Sequence, residues 1–204
     1  MAKRFDIMIF VVTNRKICGE ENFIKTIEEC AKYKPFSIIL REKDLDYKNL
    51  YKLAVDIKKV TDKYNIPLII NGDLKISKEL NTWGYHCSIS AFRKINVKVD
   101  RKLGISVHSL NEAVEAEKLG ADYILAGHIY ETKCKEGLKG RGQNFIKSIS
   151  QKVSIPIIAI GGITEENTAN VIKSGAKGIA IMSSAMKKPS TILTLKKEFR
   201  TILI

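Results

Sequence analysis

IPIIAIGGIT at residues 155–164 and GAKGIAIMSSAM at residues 175–186 decide how the rest of the chain reads. Each opens on a short run rich in Ile and Ala, closes it with small residues, and leads into a helix, the sequence form of a strand, a tight turn and a helix. Two such units in tandem imply parallel strands covered by helices. Towards the amino end the alternation continues with no linker. Strands are predicted over 7–12, 37–41, 68–71, 84–88, 104–107, 123–126, 157–160 and 178–182, and amphipathic helices over 22–33, 47–64, 110–119, 165–174 and 191–203; residues 91–102 have no strong period. About eight strands is the number that closes a barrel. An open doubly wound sheet would alternate similarly, but it usually carries a Gly-rich turn after its first strand, and VVTNRKICGEEN from Val11 offers none. The fold expected is α/β, a single (β/α)8 TIM barrel with residues 1–204 as one domain.

Composition narrows the function classes. Hydrophobic residues at 45% and charged residues at 28% are ordinary for a globular chain. No stretch approaches the roughly 18 consecutive apolar residues of a membrane span. The amino end, MAKRFDIMIFVV, lacks a small-residue cleavage site and reads as a first strand rather than a signal peptide. Cys18, Cys30, Cys87 and Cys134 lie far apart without a CxxC pair, so neither a zinc site nor a disulfide framework is indicated, and a reduced cytoplasm fits. Lys plus Arg at 35 against Asp plus Glu at 22 gives +13, which suits either nucleic acid or an anionic substrate. The charges are spread over helix-like stretches such as 47–64, with no stacking-aromatic motif beside them. Solvated helix faces and a small anionic substrate are therefore expected, with no nucleic acid and no membrane partner.

In a barrel the chemistry gathers at the carboxyl ends of the strands. The positions predicted there are Thr13, Arg41, Asn71, His86, Ser106, His108, His128, Gly161, Gly162 and Ser183. Gly161, Gly162, Met182 and Ser183 fall in the loops after strands seven and eight, this fold's usual phosphate site, where backbone N–H groups can face an oxyanion. The plain alternative is that the glycines only make tight turns. In SIILREK, Arg41 and Lys43 lie two residues apart and share a face, suited to a carboxylate or phosphate. Asn71-Gly72 is a turn dipeptide that also sets an amide at the barrel mouth. Of the three histidines, His128 directly follows the strand DYILAG and precedes a polar, Gly-containing loop. An imidazole there can take a proton from carbon and return it elsewhere. His108, just before a helix, reads equally as a group that orders that turn.

LREK near Arg41, GISVHSLNEA from Gly104, ADYILAGHIYET from Ala121 and IPIIAIGGIT from Ile155 together resemble the thiamine phosphate synthase superfamily, in its order and at its spacings. Within it the chain is most similar to the thiazole tautomerase, or TenI, branch. The synthase branch uses magnesium held by acidic residues, with a glutamine, an arginine and a lysine after its second strand. Here Ile39 stands where that glutamine would be, and Gly72 where an aspartate follows the asparagine. In an ungapped reading Ile89 and Ala91 replace a further glutamine and aspartate, and Cys134 a threonine. The tautomerase branch is similar to this chain in Asn71-Gly72 and in GH[IV][FY]ET at residues 127–132, followed by Cys134, Lys135 and GRG. Synthases usually have proline where His128 stands. The resemblance implies aromatisation of a carboxythiazole phosphate without cofactor or metal. His128 would move the proton, with Gly161, Gly162, Met182 and Ser183 around the phosphate and Arg41, Lys43, Asn71, Ser106, Thr132 and Lys135 lining the rest. The alternatives are a thiamine phosphate synthase or a non-catalytic regulatory relative, and a homodimer is one arrangement such barrels adopt.

Overall fold

The computed structural model describes residues 7–95, 98–132 and 137–202. Eight strands, β1 Met8–Val12, β2 Ser37–Leu40, β3 Leu68–Asn71, β4 Gly84–Ser88, β5 Lys102–Val107, β6 Tyr123–Gly127, β7 Ile157–Ile160 and β8 Gly178–Ile181, pair in parallel in chain order. β1 also pairs with β8, Phe10 opposite Ala180, and the barrel closes. The expected (β/α)8 barrel is the fold observed, with strand ends moved by a residue or two.

The period-two alternation of each strand sorts its side chains into two layers. Phe10, Val12, Ile39, Ile69, Tyr123, Leu125, Ile158 and Ala180 pack together inside the barrel. Their neighbours Ile9, Val11, Ile38, Leu40, Ile70 and Ile124 point outward into a second, larger core beneath the helices. Full burial of each such side chain stabilises the fold by roughly 1.5–3 kcal/mol relative to exposure. Because both strand faces are buried, the strands read as continuous apolar runs.

The helices begin close behind the strand ends, fixed by local caps. Asp46 accepts the Asn49 N–H at 2.8 Å at the head of α3 (Tyr47–Lys63), and Ser109 accepts the Glu112 N–H at 3.1 Å ahead of α6 (Leu110–Lys118). Thr164 and Asn167 form a reciprocal capping box at α8 (Glu165–Lys173). α2 (Phe23–Lys32) and α10 (Thr191–Ile202) also lie where their spacing predicts them. α9 (Ser183–Lys187) is the helix that GAKGIAIMSSAM opens, whereas α1 (Arg15–Cys18), α4 (Leu74–Glu79), α5 (Ile89–Phe92) and α7 (Gln143–Ser150) are not among the predicted helices, since one or two turns are too short to display a period. Among the described residues no helix is long and apolar enough to cross a membrane.

Candidate active site

A cavity of about 990 Å³ opens at the carboxyl ends of the strands. Its floor is the top of the barrel interior, Val12, Ile39, Leu125, Ile160 and Ala180. Arg41, Lys43, Asn71, Ser106, His128, Thr132, Gly161, Gly162, Met182 and Ser183 all line it. Lys135, expected in the same site, lies outside the described residues, as does Cys134. Residues brought here that the sequence reading did not single out include Glu42, Asp73 and Ser184. Each follows the end of a strand, and that position was the one signal that could have found them.

The three histidines turn out to have different duties. His86 is 1% exposed. Its Nδ1 lies 3.0 Å from the Tyr123 hydroxyl and its Nε2 2.8 Å from Ser106 Oγ. Burial first, and the Arg41 charge second, push its pKa down to about 3. A serine beside an imidazole suggests an activated nucleophile, but a ring held so far below neutrality is a poor proton acceptor, so here it orients the Ser106 hydroxyl. Gly104 makes the pair possible: a Cβ there would lie 2.3 Å from the Tyr123 hydroxyl and 2.4 Å from His86 Nδ1. Asn71 is held on the same strand edge, its side-chain amide donating to the His86 carbonyl at 3.2 Å.

His108 is exposed at the mouth. Its Nδ1 is 2.8 Å from the Gly127 carbonyl. A carbonyl only accepts, so Nδ1 carries the hydrogen and the lone pair sits on Nε2. His128 is 5% exposed, with Nε2 3.2 Å from the Leu138 carbonyl. The same logic puts the hydrogen on Nε2 and the lone pair on Nδ1. That Nδ1 is buried and has no hydrogen-bond partner among the described residues. His128 also lines the cavity, so its imidazole borders whatever the cavity holds.

Gly161 and Gly162 have φ of +103° and +65°, a region that favours glycine. Space is as restrictive as angle. A Cβ on Gly161 would stand 2.5 Å from His128 Cβ, and one on Gly162 would stand 2.7 Å from both Tyr130 Cβ and the Glu131 carbonyl oxygen. The Ile129 and Tyr130 N–H groups donate to the Ile160 and Gly161 carbonyls at 2.9 and 3.0 Å. The two glycines thus let the segment after β7 close against the segment that carries His128, a task distinct from the phosphate role foreseen for them.

The synthase branch implies a magnesium ion, which would need carboxylate oxygens at the cavity. Glu42 and Asp73 are the carboxylates lining the cavity among the described residues. Both oxygens of Glu42 are taken up by Thr13 and Arg15. Asp73 caps α4 through the Ile76 N–H at 2.9 Å. Gly72 and Ala91, which also line the cavity, offer no ligand atoms from their side chains. No group of three or more His, Cys, Asp or Glu residues among those described is arranged to hold a metal ion. Hard divalent cations need several oxygens free to turn towards them. The described residues do not fit the ion.

A closed barrel of eight parallel strands with its polar residues gathered at the carboxyl ends places the protein in the class of (β/α)8-barrel enzymes. The model of the family described as thiamine monophosphate synthase matches residues 9–185, and the chain belongs to that family of thiamine biosynthesis. It is 37% identical over 188 residues to the thiamine-phosphate synthase of Clostridium acetobutylicum, covering 90% of this chain and 89% of that one. It is 34% identical to the thiamine-phosphate synthase of Methanobrevibacter smithii, covering 96% of each. The thiamine phosphate pyrophosphorylase structure from Pyrococcus furiosus superposes with a TM-score of 0.83 at 26% identity, over 98% of this chain and 99% of that one. These relatives carry the name of the synthase, which the sequence reading held as the alternative, and not that of the tautomerase it preferred.

Proposed function

We propose that this member of the family is a proton-transfer enzyme that aromatises a carboxythiazole phosphate. The observation that supports this reading is His128, which lines the cavity with Nε2 anchored on the Leu138 carbonyl and Nδ1 without a hydrogen-bond partner among the described residues. In the proposed step His128 Nδ1 takes the proton from ring C2, and the electron pair left behind moves through the ring to the exocyclic double bond. The exocyclic carbon then takes a proton back from the imidazolium. One C–H bond breaks and one forms, with no change in oxidation state. The aromatic product is the more stable tautomer, so lowering the barrier is all the enzyme must do. Arg41 and Lys43 supply positive charge for the carboxylate or phosphate, Asn71, Ser106 and Thr132 line the ring, Lys135 completes the set assigned from sequence, and the backbone at Gly161, Gly162, Met182 and Ser183 receives the phosphate.

The second reading is thiamine phosphate synthase, and what favours it is the name carried by relatives up to 37% identical over most of the chain. Against it stand Ile39, Gly72 and Ala91 at the cavity, and the engagement of Glu42 and Asp73, the carboxylates that line it among the described residues, with Thr13, Arg15 and the Ile76 N–H. One paired assay decides. Purified protein is given the dihydrothiazole carboxylate phosphate in EDTA and, separately, the pyrimidine diphosphate and thiazole phosphate with magnesium. Turnover in the first and none in the second is expected. Coupling in the second alone would establish the synthase in its place.

A further inference from the structure

Arg41 and Lys43 line the cavity, and neither makes an ion pair with any described residue. Glu42, between them, is 5% exposed, and its carboxylate is engaged within the protein. Its carboxylate accepts the Thr13 hydroxyl at 2.7 Å, the Arg15 backbone N–H at 3.1 Å on each oxygen, and Arg15 Nη1 at 3.2 Å. Thr13 Oγ1 accepts the Arg41 N–H in turn, at 2.9 Å. The Arg15 guanidinium continues to Asp44 through bonds of 2.7 and 2.8 Å. The segment 41–44 is therefore tied to the loop after β1 through the Arg41 N–H and the carboxylates of Glu42 and Asp44, while the side chains of 41 and 43 are left for something in the cavity.

We propose that Glu42 is a positioning residue whose buried carboxylate, through Thr13 and Arg15, fixes the segment that presents Arg41 and Lys43 to an anionic group. The proposal rests on the reading of those two cations as ligands of the substrate's phosphate or carboxylate. Two long, like-charged side chains held on one short segment repel each other and lose freedom when an anion binds. A segment already fixed leaves less to be ordered at that moment. A carboxylate is suited to the anchoring, since its two oxygens accept four bonds here where an amide offers one accepting oxygen.

The test is calorimetric titration with two probes, inorganic phosphate and 4-methylthiazole-2-carboxylate, neither of which needs turnover. The variants are Arg41→Ala, Glu42→Gln, Thr13→Val and Thr13→Ser, each with its melting temperature. Arg41→Ala identifies which probe the subsite holds. For that probe Glu42→Gln and Thr13→Val should weaken binding about fivefold or more, the size expected when a long side chain must be ordered afresh. Thr13→Ser, which keeps the hydroxyl, should bind as the parent does. If Arg41→Ala weakens neither probe, the anion subsite is overturned and the proposal with it. If Arg41→Ala weakens binding but folded Glu42→Gln and Thr13→Val bind like the parent, the positioning role alone is overturned. Should Glu42→Gln fail to fold, the Thr13 pair carries the test by itself.

Discussion

At the scale of single residues, a carbonyl decides the chemistry of a histidine. His128 Nε2 faces the Leu138 carbonyl and His108 Nδ1 the Gly127 carbonyl, so in each ring the hydrogen is assigned to that nitrogen. His86 is bonded on both nitrogens. On the proposed mechanism His128→Asn should lower the single-turnover rate by about 10²–10⁴-fold, the usual contribution of a positioned acid–base group. Binding of the thiazole phosphate should change little. Rate and melting temperature are to be measured together: a stable variant that turns over at close to the parental rate would remove His128 from the mechanism. The sequence picked out His128 by its place after a strand, but it gave no means of telling His86 from His108, because their difference lies in partners 19 to 37 residues away.

At the scale of elements, the loop after β7 and the segment after β6 form one unit. Gly161 and Gly162 are required there by a positive φ and by contact with His128, Tyr130 and the Glu131 carbonyl. Gly162→Val combines a β-branched side chain in the left-handed region with a backbone collision, and a loss of stability on the order of 2 kcal/mol or more is expected. Denaturant unfolding measures it. Because the same substitution displaces the chain beside His128, turnover should fall along with affinity, in contrast to an effect confined to phosphate binding. A variant of parental stability with weakened phosphate binding alone would return the glycines to a purely ligand-facing role. The glycines were visible in the sequence as turn residues. What they press against was not, since Tyr130 and Gly162 become neighbours only when β6 and β7 pair.

At the scale of the whole molecule, burying a neutral imidazole inside the barrel ties stability to pH. The His86 pKa falls from its ordinary value near 6.5 to about 3 on folding. The unfolded chain therefore takes up a proton below pH 6.5 that the folded one refuses, and the contribution is whole above 6.5 and lost as pH falls from there towards 3. Between pH 6.5 and 5 the unfolding free energy should drop by up to about 1 kcal/mol per pH unit for this one proton. In His86→Gln that part of the slope should be missing, as melting across the same range would reveal; equal slopes would mean that another group carries the acid sensitivity. The sequence by itself determined the barrel, because both layers of a (β/α)8 fold are written locally: runs such as IIAI at 157–160 and GIAI at 178–181 fill the strands, and Asp46, Ser109 and Thr164 cap the helices that follow. It also determined which residues stand at the strand ends, and so which could meet at the mouth. Only the tertiary structure decided what each does there. The Glu42 anchorage and the two-sided satisfaction of His86 are contacts between different βα units, and no periodicity within one unit records what its neighbour places against it.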